Sequence, residues 1–427
     1  MARLLQRCDI IRPNVNHEDD MSKTILSIGA FDVKDAEYEF LHQQIEAQGG
    51  QIITMNFGVL GSTKRFVVNI ESDAVALAGG SDIDVLRAEK DRGNAMKVMA
   101  AGVSKLCRQL YDEGKIGGVV GMGGSGGSSV ITSAMRALPI GVPKVCVSTV
   151  AGSDTSSYVG YKDVTLIPSI VDVSGVNRIS RKVFATAAGA IVGMVESEHA
   201  PKTSDKPIVA ASMFGNTTQC VDACREWLTS KGYEVLVFHA TGTGGKTMES
   251  LIDEGLVDAC LDITTTEWAD EICGGVFPGG SDRLSAAGRK GIPHLIVPGC
   301  VDMANFGPLD SVPAHHREAN RQFYEWNPAV TLMRTNVDEN QRMGKIFAEK
   351  ANAASGPVAF LLPLGGVSIL DGDGQLFCDR QADQAMFDAI KQNVQPEIPI
   401  FELDANINDR EFSDKAVEIL IDMISQR

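Results

Sequence analysis

Three features predict an α/β protein built from two Rossmann-like domains with mainly parallel sheets and a ligand cleft at the carboxyl ends of the strands. Apolar strand-like runs alternate with stretches of helical period. Glycine-rich segments follow strands and open helices, as the ligand loops of such sheets do. The second half of the chain repeats the opening pattern of the first. A length of 427 residues with 44% hydrophobic content suits two cores rather than one. The expected division is a loose extension over residues 1–20, a first domain over 21–200, a linker over 201–207 and a second domain over 208–427. Residues 1–20 hold Arg3, Arg7 and Arg12 but not the apolar stretch of a signal peptide, and Met21 fits a natural start.

In the first half, residues 24–29 are a short apolar run of strand length. Residues 37–48 place Phe40, Leu41 and Ile45 at helical spacing and stop at Gly49 and Gly50. Residues 51–57 supply the next strand, which makes a βαβ unit with a right-handed crossover. Residues 66–70 read as a further strand. Residues 91–113 carry Met96, Met99, Val103, Leu106 and Leu110 at helical spacing, where the methionines fill core. The run 116–120 leads into residues 121–129, Gly-Met-Gly-Gly-Ser-Gly-Gly-Ser-Ser, and residues 130–138 read as a helix. Residues 144–147 and 164–167 are strands, 148–153 a polar small-residue loop, 172–177 a polar turn, and 183–195 a helix of small residues.

The second half opens with a strand at 207–213, a helix at 219–231 and a strand at 232–238. A shift of 183 residues lays Ile25 on Ile208, Gly49 on Gly232 and Ile52 on Val235. Later, Gly126-Gly-Ser-Ser followed by Gly141-Val-Pro-Lys is echoed by Gly279-Gly-Ser-Asp followed by Gly291-Ile-Pro-His. Two similar domains facing each other are expected, with their cleft as the default ligand site.

A net charge of −16 argues against a nucleic-acid surface and against binding to anionic membranes. No apolar run approaches the ~20 residues of a membrane span. The nine cysteines are odd in number and form no C-x-x-C pair, so they read as reduced, mostly buried thiols. Cys220 and Cys224, four apart on a helix face, read as core packing. A cytoplasmic protein is expected.

Residues 121–129 hold five glycines and three serines. Glycine lets the backbone approach a ligand closely, and a helix start offers unpaired N–H groups at the positive end of its dipole. A phosphate or carboxylate is therefore expected against Gly123, Gly124, Ser125, Gly126, Gly127, Ser128 and Ser129. The plain alternative is a tight turn where helix packs on strand. Matches to G-x-G-x-x-G and G-x-S-x-G follow from the abundance of glycine. No acid lies about 20 residues further on to hold a ribose, and no later histidine is marked as a base.

Asp32 and Lys34 fall at the carboxyl end of the first strand, and Ser148 and Thr149 at that of another. Residues 239–247, His-Ala-Thr-Gly-Thr-Gly-Gly-Lys-Thr, form a second polar loop. Thr241, Gly242, Thr243, Gly244, Gly245 and Lys246 are its expected nucleotide contacts. As a phosphate loop it has alanine in place of the first glycine, and the best acidic-strand partner is Asp262. Asp302 and Asn305 suit a sugar hydroxyl or a metal-bound water, with a capped turn as the plain alternative. Residues 268–271 read as a solvated helix face. His315 and His316, adjacent on a helix, belong to a cationic patch rather than a metal site. Residues 371–374 read as a hairpin turn, because a calcium loop would need glutamate where Ala382 stands. No set of metal ligands is signalled.

In combination and order, residues 29–37, 91–93, 121–129, 138–144 with Ser148 and Thr149, 172–177, 239–245, 298–305, 327–335 and 364–371 resemble the family of the tomato mosaic virus resistance protein. The N-terminal ATP-binding region of that protein has stand-alone bacterial and fungal relatives of unassigned function. The resemblance runs from about residue 21 to the end. It implies two Rossmann-like domains, a homodimer, and binding of ATP with Mg2+. The plant member's region binds a viral replication protein, a role peculiar to it. That member continues into a TIM-barrel domain, so the resemblance suggests a separately encoded barrel partner here. Two departures stand out. Trp326 precedes Asn327 where relatives tend to have histidine. Lys246 and Thr247 stand where relatives often have Arg-Ala, which makes the phosphate-loop look of that segment accidental.

The expected function is ATP binding with the phosphates on the glycine-rich segments. One alternative is a metabolic enzyme acting on a small carboxylate or phosphate metabolite, with ATP as co-substrate and a TIM-barrel partner. Another is a protein-interaction module. No catalytic residue is assigned.

Overall fold

A computed structural model describes residues 23–197 and 206–426. The expected extension, with Met21, and residues 201–205 of the expected linker lie outside the described residues. The chain divides into two compact units, Met1–Lys202 and Thr203–Arg427.

The first unit carries β1 (Ile25–Gly29), β2 (Ile52–Asn56), β3 (Gly118–Gly123), β4 (Lys144–Ser148) and β5 (Thr165–Pro168). All pair in parallel, in the order β2-β1-β3-β4-β5. Its helices are α1 (Asp35–Glu46), α2 (Ser72–Ala78), α3 (Ile83–Glu89), α4 (Arg92–Asp112), α5 (Ser125–Arg136), α6 (Ser156–Val159) and α7 (Arg178–Glu196). Strand residues alternate between two cores. Leu26, Ile28 and Val119 pack with α4 and α5, whereas Ile25, Val120 and Val145 pack with α1 and α7. The helices that follow β1 and β3 thus lie on opposite faces. Neighbouring strands whose chains leave to opposite sides open a crevice at their carboxyl ends. Tyr38 of α1 enters this parting: its hydroxyl donates to the Ile28 carbonyl at 2.6 Å and accepts from the Met122 N–H at 2.7 Å.

Two expectations in this unit are corrected. Residues 66–70 are not a strand; only Ile70 bridges to Met55. The Thr54 N–H donates to Asn69 Oδ1 and the Asn69 N–H to Thr54 Oγ1, both at 2.9 Å, so side chains replace the ladder and cover the edge of β2. The helix expected from residue 130 begins at Ser125. Half of the glycine-rich segment is therefore the first turn of α5 rather than a loop.

The second unit carries β6 (Ile208–Met213), β7 (Glu234–His239), β8 (Ala259–Thr264), β9 (His294–Gly299), β10 (Met303–Phe306), β11 (Phe323–Asn327), β12 (Val330–Arg334), β13 (Val358–Pro363) and β14 (Ile400–Leu403). The main sheet is parallel, ordered β14-β13-β9-β8-β6-β7, and β10-β12-β11 form a small antiparallel sheet. Helices are α8 (Thr218–Ser230), α9 (Thr243–Asp253), α10 (Glu267–Cys273), α11 (Ala286–Lys290), α12 (Ala314–Glu318), α13 (Val337–Asn352), α14 (Arg380–Asn393) and α15 (Arg410–Ser425). α8 and α15 cover one face of the main sheet, with Cys220 and Cys224 buried between them as expected. α9, α11, α13 and α14 cover the other.

Read in chain order within each unit, the first five strands of both main sheets follow one arrangement, 2-1-3-4-5. The sequence echo therefore marks a repeat of topology. β1 and β2 correspond to β6 and β7, and β4 corresponds to β9, the strand behind each Gly-x-Pro turn.

The core of the first unit holds a titratable group. His42 is buried among Phe31, Tyr38 and Phe66, with Nε2 2.8 Å from Ser27 Oγ. Burial pushes its pKa down to about 4, below the ~6.5 of an unfolded chain. As pH falls the unfolded chain takes up the proton first, so the unit loses stability between pH ~6.5 and ~4. The expected loss is on the order of 2–3 kcal/mol, read from denaturant unfolding at pH 7 and pH 4. His42→Gln should flatten that part of the curve, and an unchanged slope in the variant would refute the assignment.

Candidate functional site

In the first unit the crevice between β1 and β3 ends on the start of α5. No side chain caps this helix, and the leading N–H groups of a helix have no partner within it. The glycines of the segment divide by what surrounds them. A Cβ on Gly121 would lie 2.7 Å from Ile131 and 2.8 Å from the Ile28 carbonyl, and one on Gly123 3.0 Å from Gly127 Cα. These two satisfy the plain reading, close packing of helix on strand. A Cβ on Gly127 would meet nothing within 4 Å, and one on Gly124 only the Thr149 hydroxyl at 3.9 Å. Gly127 is the third residue of α5, and no protein contact accounts for a glycine there. A Cβ on Gly126 would lie 3.3 Å from Met96 Cε and 3.5 Å from Arg92 Nη2. An exposed guanidinium thus stands beside the open helix start.

Arg92 and Met96 also line a cavity of about 550 Å3 whose apolar walls include Phe57, Val59, Leu86 and Met99. Asp32 lies in the same lining. Its Oδ2 accepts the Leu60 N–H at 2.9 Å, while its Oδ1 is buried and has no partner. Burial raises the Asp32 pKa. A Cβ on Gly58 would collide with this carboxylate. Lys34, the N-cap of α1, does not line the cavity. On the far side of the glycine segment, Ser128 Oγ and Ser148 Oγ are 2.6 Å apart and both residues are buried. These two serines tie the turn after β4 beneath α5, whereas Ser125, Ser129 and Thr149 are exposed above it. Thr149 lines a second, shallower basin of about 470 Å3 with Ser148, Ser169 and Asp172.

The polar loop of the second unit is built differently. α9 starts at Thr243, inside the segment expected to be a loop. Gly242 has φ +77, a Cβ on Gly244 would collide with the His239 backbone, and one on Gly245 would collide with Glu267. The Gly242 and Gly245 N–H groups donate to Glu267 Oε1 at 2.8 and 3.1 Å. A buried carboxylate of the protein therefore stands where a phosphate was expected, and the glycines make room for it.

Glu267 in turn accepts from Arg283 Nε at 2.5 Å. Arg283 is fully buried, and its two terminal nitrogens hold both oxygens of Asp262 at 2.7 and 2.5 Å. Burial alone would raise the Asp262 carboxyl, but the guanidinium holds it well below the usual range. Glu249 lies 3.3 Å from Arg283 and accepts the Leu284 and Ala286 N–H groups at 2.6 and 2.7 Å. Among the described residues, Cys260, Asp262 and His294 bring a thiol, a carboxylate and an imidazole within 4.8 Å. Arg283 already neutralises that carboxylate, and burial raises the thiol well above its ordinary pKa. The trio belongs to the ion-pair cluster rather than to a metal centre.

Asp302 is fully buried; its Oδ2 accepts Ser368 Oγ–H at 2.8 Å and its Oδ1 has no partner. The Asn305 N–H and Nδ2 donate to Asp270 at 2.5 and 3.2 Å. Residues 268–271 are not a solvated face, because Trp268 and Asp270 are buried beneath β10. Residues 371–374 are not a hairpin turn either. Asp371 is buried between β13 and α14, 3.3 Å from Arg334 and 3.2 Å from Arg380. His316 is buried with Nε2 2.9 Å from the Cys273 carbonyl. Sequence reasoning missed Arg92, Glu267 and Arg283 as residues that shape these two segments. Asp91 followed by Arg92 at the head of a long helix was a readable signal for the first; contacts between distant turns supply the others.

Fold and site define a class: a doubly wound α/β protein of two like-ordered units, the first of which presents an uncapped helix start beside a cavity. The chain belongs to the family described as Uncharacterised protein family (UPF0261), whose N-terminal and C-terminal domain models match residues 23–200 and 206–424. It is 44% identical to a UPF0261 protein of Clostridium tetani over 95% of this chain and 100% of that one. It is 41% identical to one of Mesorhizobium japonicum, over 94% and 99%. It is 37% identical to the ToMV resistance protein Tm-1(GCR237) of Solanum lycopersicum over 94% of this chain, a match that takes 56% of the tomato protein. No helix among the described residues is long and apolar enough to cross a membrane.

The Arg283 cluster carries a testable load. Arg283→Met would leave Asp262, Glu267 and Glu249 buried without their cation. It is expected to destabilise the second unit by roughly 3–5 kcal/mol, measured by urea unfolding. A loss below about 1 kcal/mol would show that the carboxylates find another partner.

Proposed function

We propose that this protein binds ATP in its first unit. The phosphates lie on the Gly124–Gly127 turn of α5, and the base and ribose enter the cavity that opens past Arg92 and Met96. The carrying observation is the uncapped start of α5, with open space over Gly127 and the Arg92 guanidinium beside Gly126. Helix N–H groups and a fixed cation together favour a polyanion. A volume of about 550 Å3 falls within the range of small-ligand sites. The strand order places the crevice at this switch point, and the unpartnered Asp32 Oδ1 suits a ribose hydroxyl or an exocyclic amine. Mg2+ would accompany the phosphates. The resemblance to the virus-resistance family supports nucleotide binding, and with it a homodimer in the cytoplasm.

A second reading, an ATP-dependent enzyme, draws on the hydroxyl-lined basin beside Thr149, which is placed to hold a co-substrate near the phosphates. It predicts ATP turnover that rises on adding one small carboxylate or phosphate metabolite. It also leaves room for a TIM-barrel partner, to be sought by co-purification.

Calorimetric titration with Mg-ATP, ADP and AMP tests the first reading. Affinity should fall from ATP to AMP. Gly126→Asp should abolish binding, because its carboxylate would pair with Arg92 and occupy the helix start. Arg92→Ala removes a charge-assisted contact worth ~1.5–3 kcal/mol, so Kd should rise about 10- to 100-fold. Absence of heat with all three nucleotides would overturn the proposal.

A further inference from the structure

The second unit shares the strand order of the first, so its crevice falls at the carboxyl ends of β6 and β8. Three turns meet beside it: Asn216 follows β6, Asp302 follows β9 and Ser368 follows β13. The Asn216 carbonyl accepts the Ile369 N–H at 3.3 Å, and Asn216 Nδ2 lies 3.2 Å from Met303 Sδ. Ser368, next to Ile369, donates to Asp302, next to Met303. Cys300, at φ +57, turns the chain toward Asp302 in a conformation that non-glycine residues seldom adopt.

Within this knot two acceptor oxygens have no hydrogen-bond partner, Asp302 Oδ1 and Asn216 Oδ1. Their residues are 0% and 2% exposed. Buried polar atoms of native proteins are nearly always paired, and here both unpaired atoms are acceptors. The charges around them do not cancel. Asp302, Asp371 and Asp383 share the buried guanidinium of Arg334, and the half-exposed Arg380 is divided among Asp371, Asp383 and Asp373, so carboxylates outnumber cations. Arg334 does not close the gap. Its nitrogens bond the Phe377 carbonyl, Thr335, Asp371 and Asp383, and none donates to Asp302.

We propose that this knot binds a single positive charge, an alkali cation or the ammonium group of a small ligand, held by Asp302 Oδ1 and Asn216 Oδ1. Carboxylate and amide oxygens suit a hard cation or an N–H donor, and a positive charge there offsets the excess of carboxylates. The proposal is independent of nucleotide binding in the first unit.

Thermal unfolding of the full chain in potassium, sodium, methylammonium and choline chloride at equal ionic strength tests it. Choline, too bulky and without N–H groups, is the reference. A saturable rise of several degrees over choline is expected. A rise with an alkali salt identifies an ion site; a rise with methylammonium alone identifies a ligand ammonium. Asp302→Asn should erase the difference. Should that variant not fold, Asn216→Ala, which keeps the carboxylate, should at least halve it. Equal melting in all four salts would overturn the proposal, since a proton on Asp302 or an amide hydrogen of Asn216 would then fill the gap. Salt selectivity that survives in Asn216→Ala would overturn it as well.

Discussion

The Tyr38 hydroxyl sits where β1 and β3 part, donating to one strand and accepting from the other. A parallel sheet that sends its first and third helices to opposite faces cannot continue its ladder through this point. Backbone groups left open inside a core must be paired, and here a side chain from α1 pairs them. The second unit solves the same problem from within the sheet. Ser212 of β6 donates to Asp262 at 2.6 Å and accepts the Thr264 N–H at 2.9 Å, both on β8. Each crevice therefore rests on one buried hydroxyl, and what lies above it is free to differ.

Above the parting the two units do differ in polarity. The first ends in an uncapped helix turn and Arg92, with a single open acceptor, Asp32 Oδ1, in the cavity beside them. The second ends in acceptors. Its helix starts are filled by Glu267 and Glu249, Arg283 is enclosed behind them, and Asp302 and Asn216 present oxygens without donors. The two copies of a duplicated topology thus carry different groups above the parting. A chain with net charge −16 has an overall field that repels anions, so the local donors of the first unit stand against that field.

Much of this was legible in the sequence. The period-2 and period-3.6 runs placed the strands and long helices, and the echo between Gly141-Val-Pro-Lys and Gly291-Ile-Pro-His marked topologically equal positions. The signals that failed were short-range ones. Residues 66–70 have the composition of a strand, yet side-chain bonds from Thr54 and Asn69 displaced the ladder. Residues 268–271 look polar, yet Asp270 is buried because it accepts N–H groups from Asn305 and Phe277. Charged residues that cap backbone from a distant turn leave no periodic trace, which is why Glu267 and Arg283 were invisible.

The two glycine-rich segments show why composition alone does not assign a ligand site. In residues 239–247 Gly242, Gly244 and Gly245 are accounted for from inside the protein: a left-handed turn, a close backbone, an incoming carboxylate. In residues 121–129 Gly121 and Gly123 are so accounted for, and Gly126 in part by Met96. Gly127 has room for a side chain and an ordinary backbone. The more phosphate-loop-like sequence, that of the second unit, is the one whose open N–H groups the protein's own Glu267 takes.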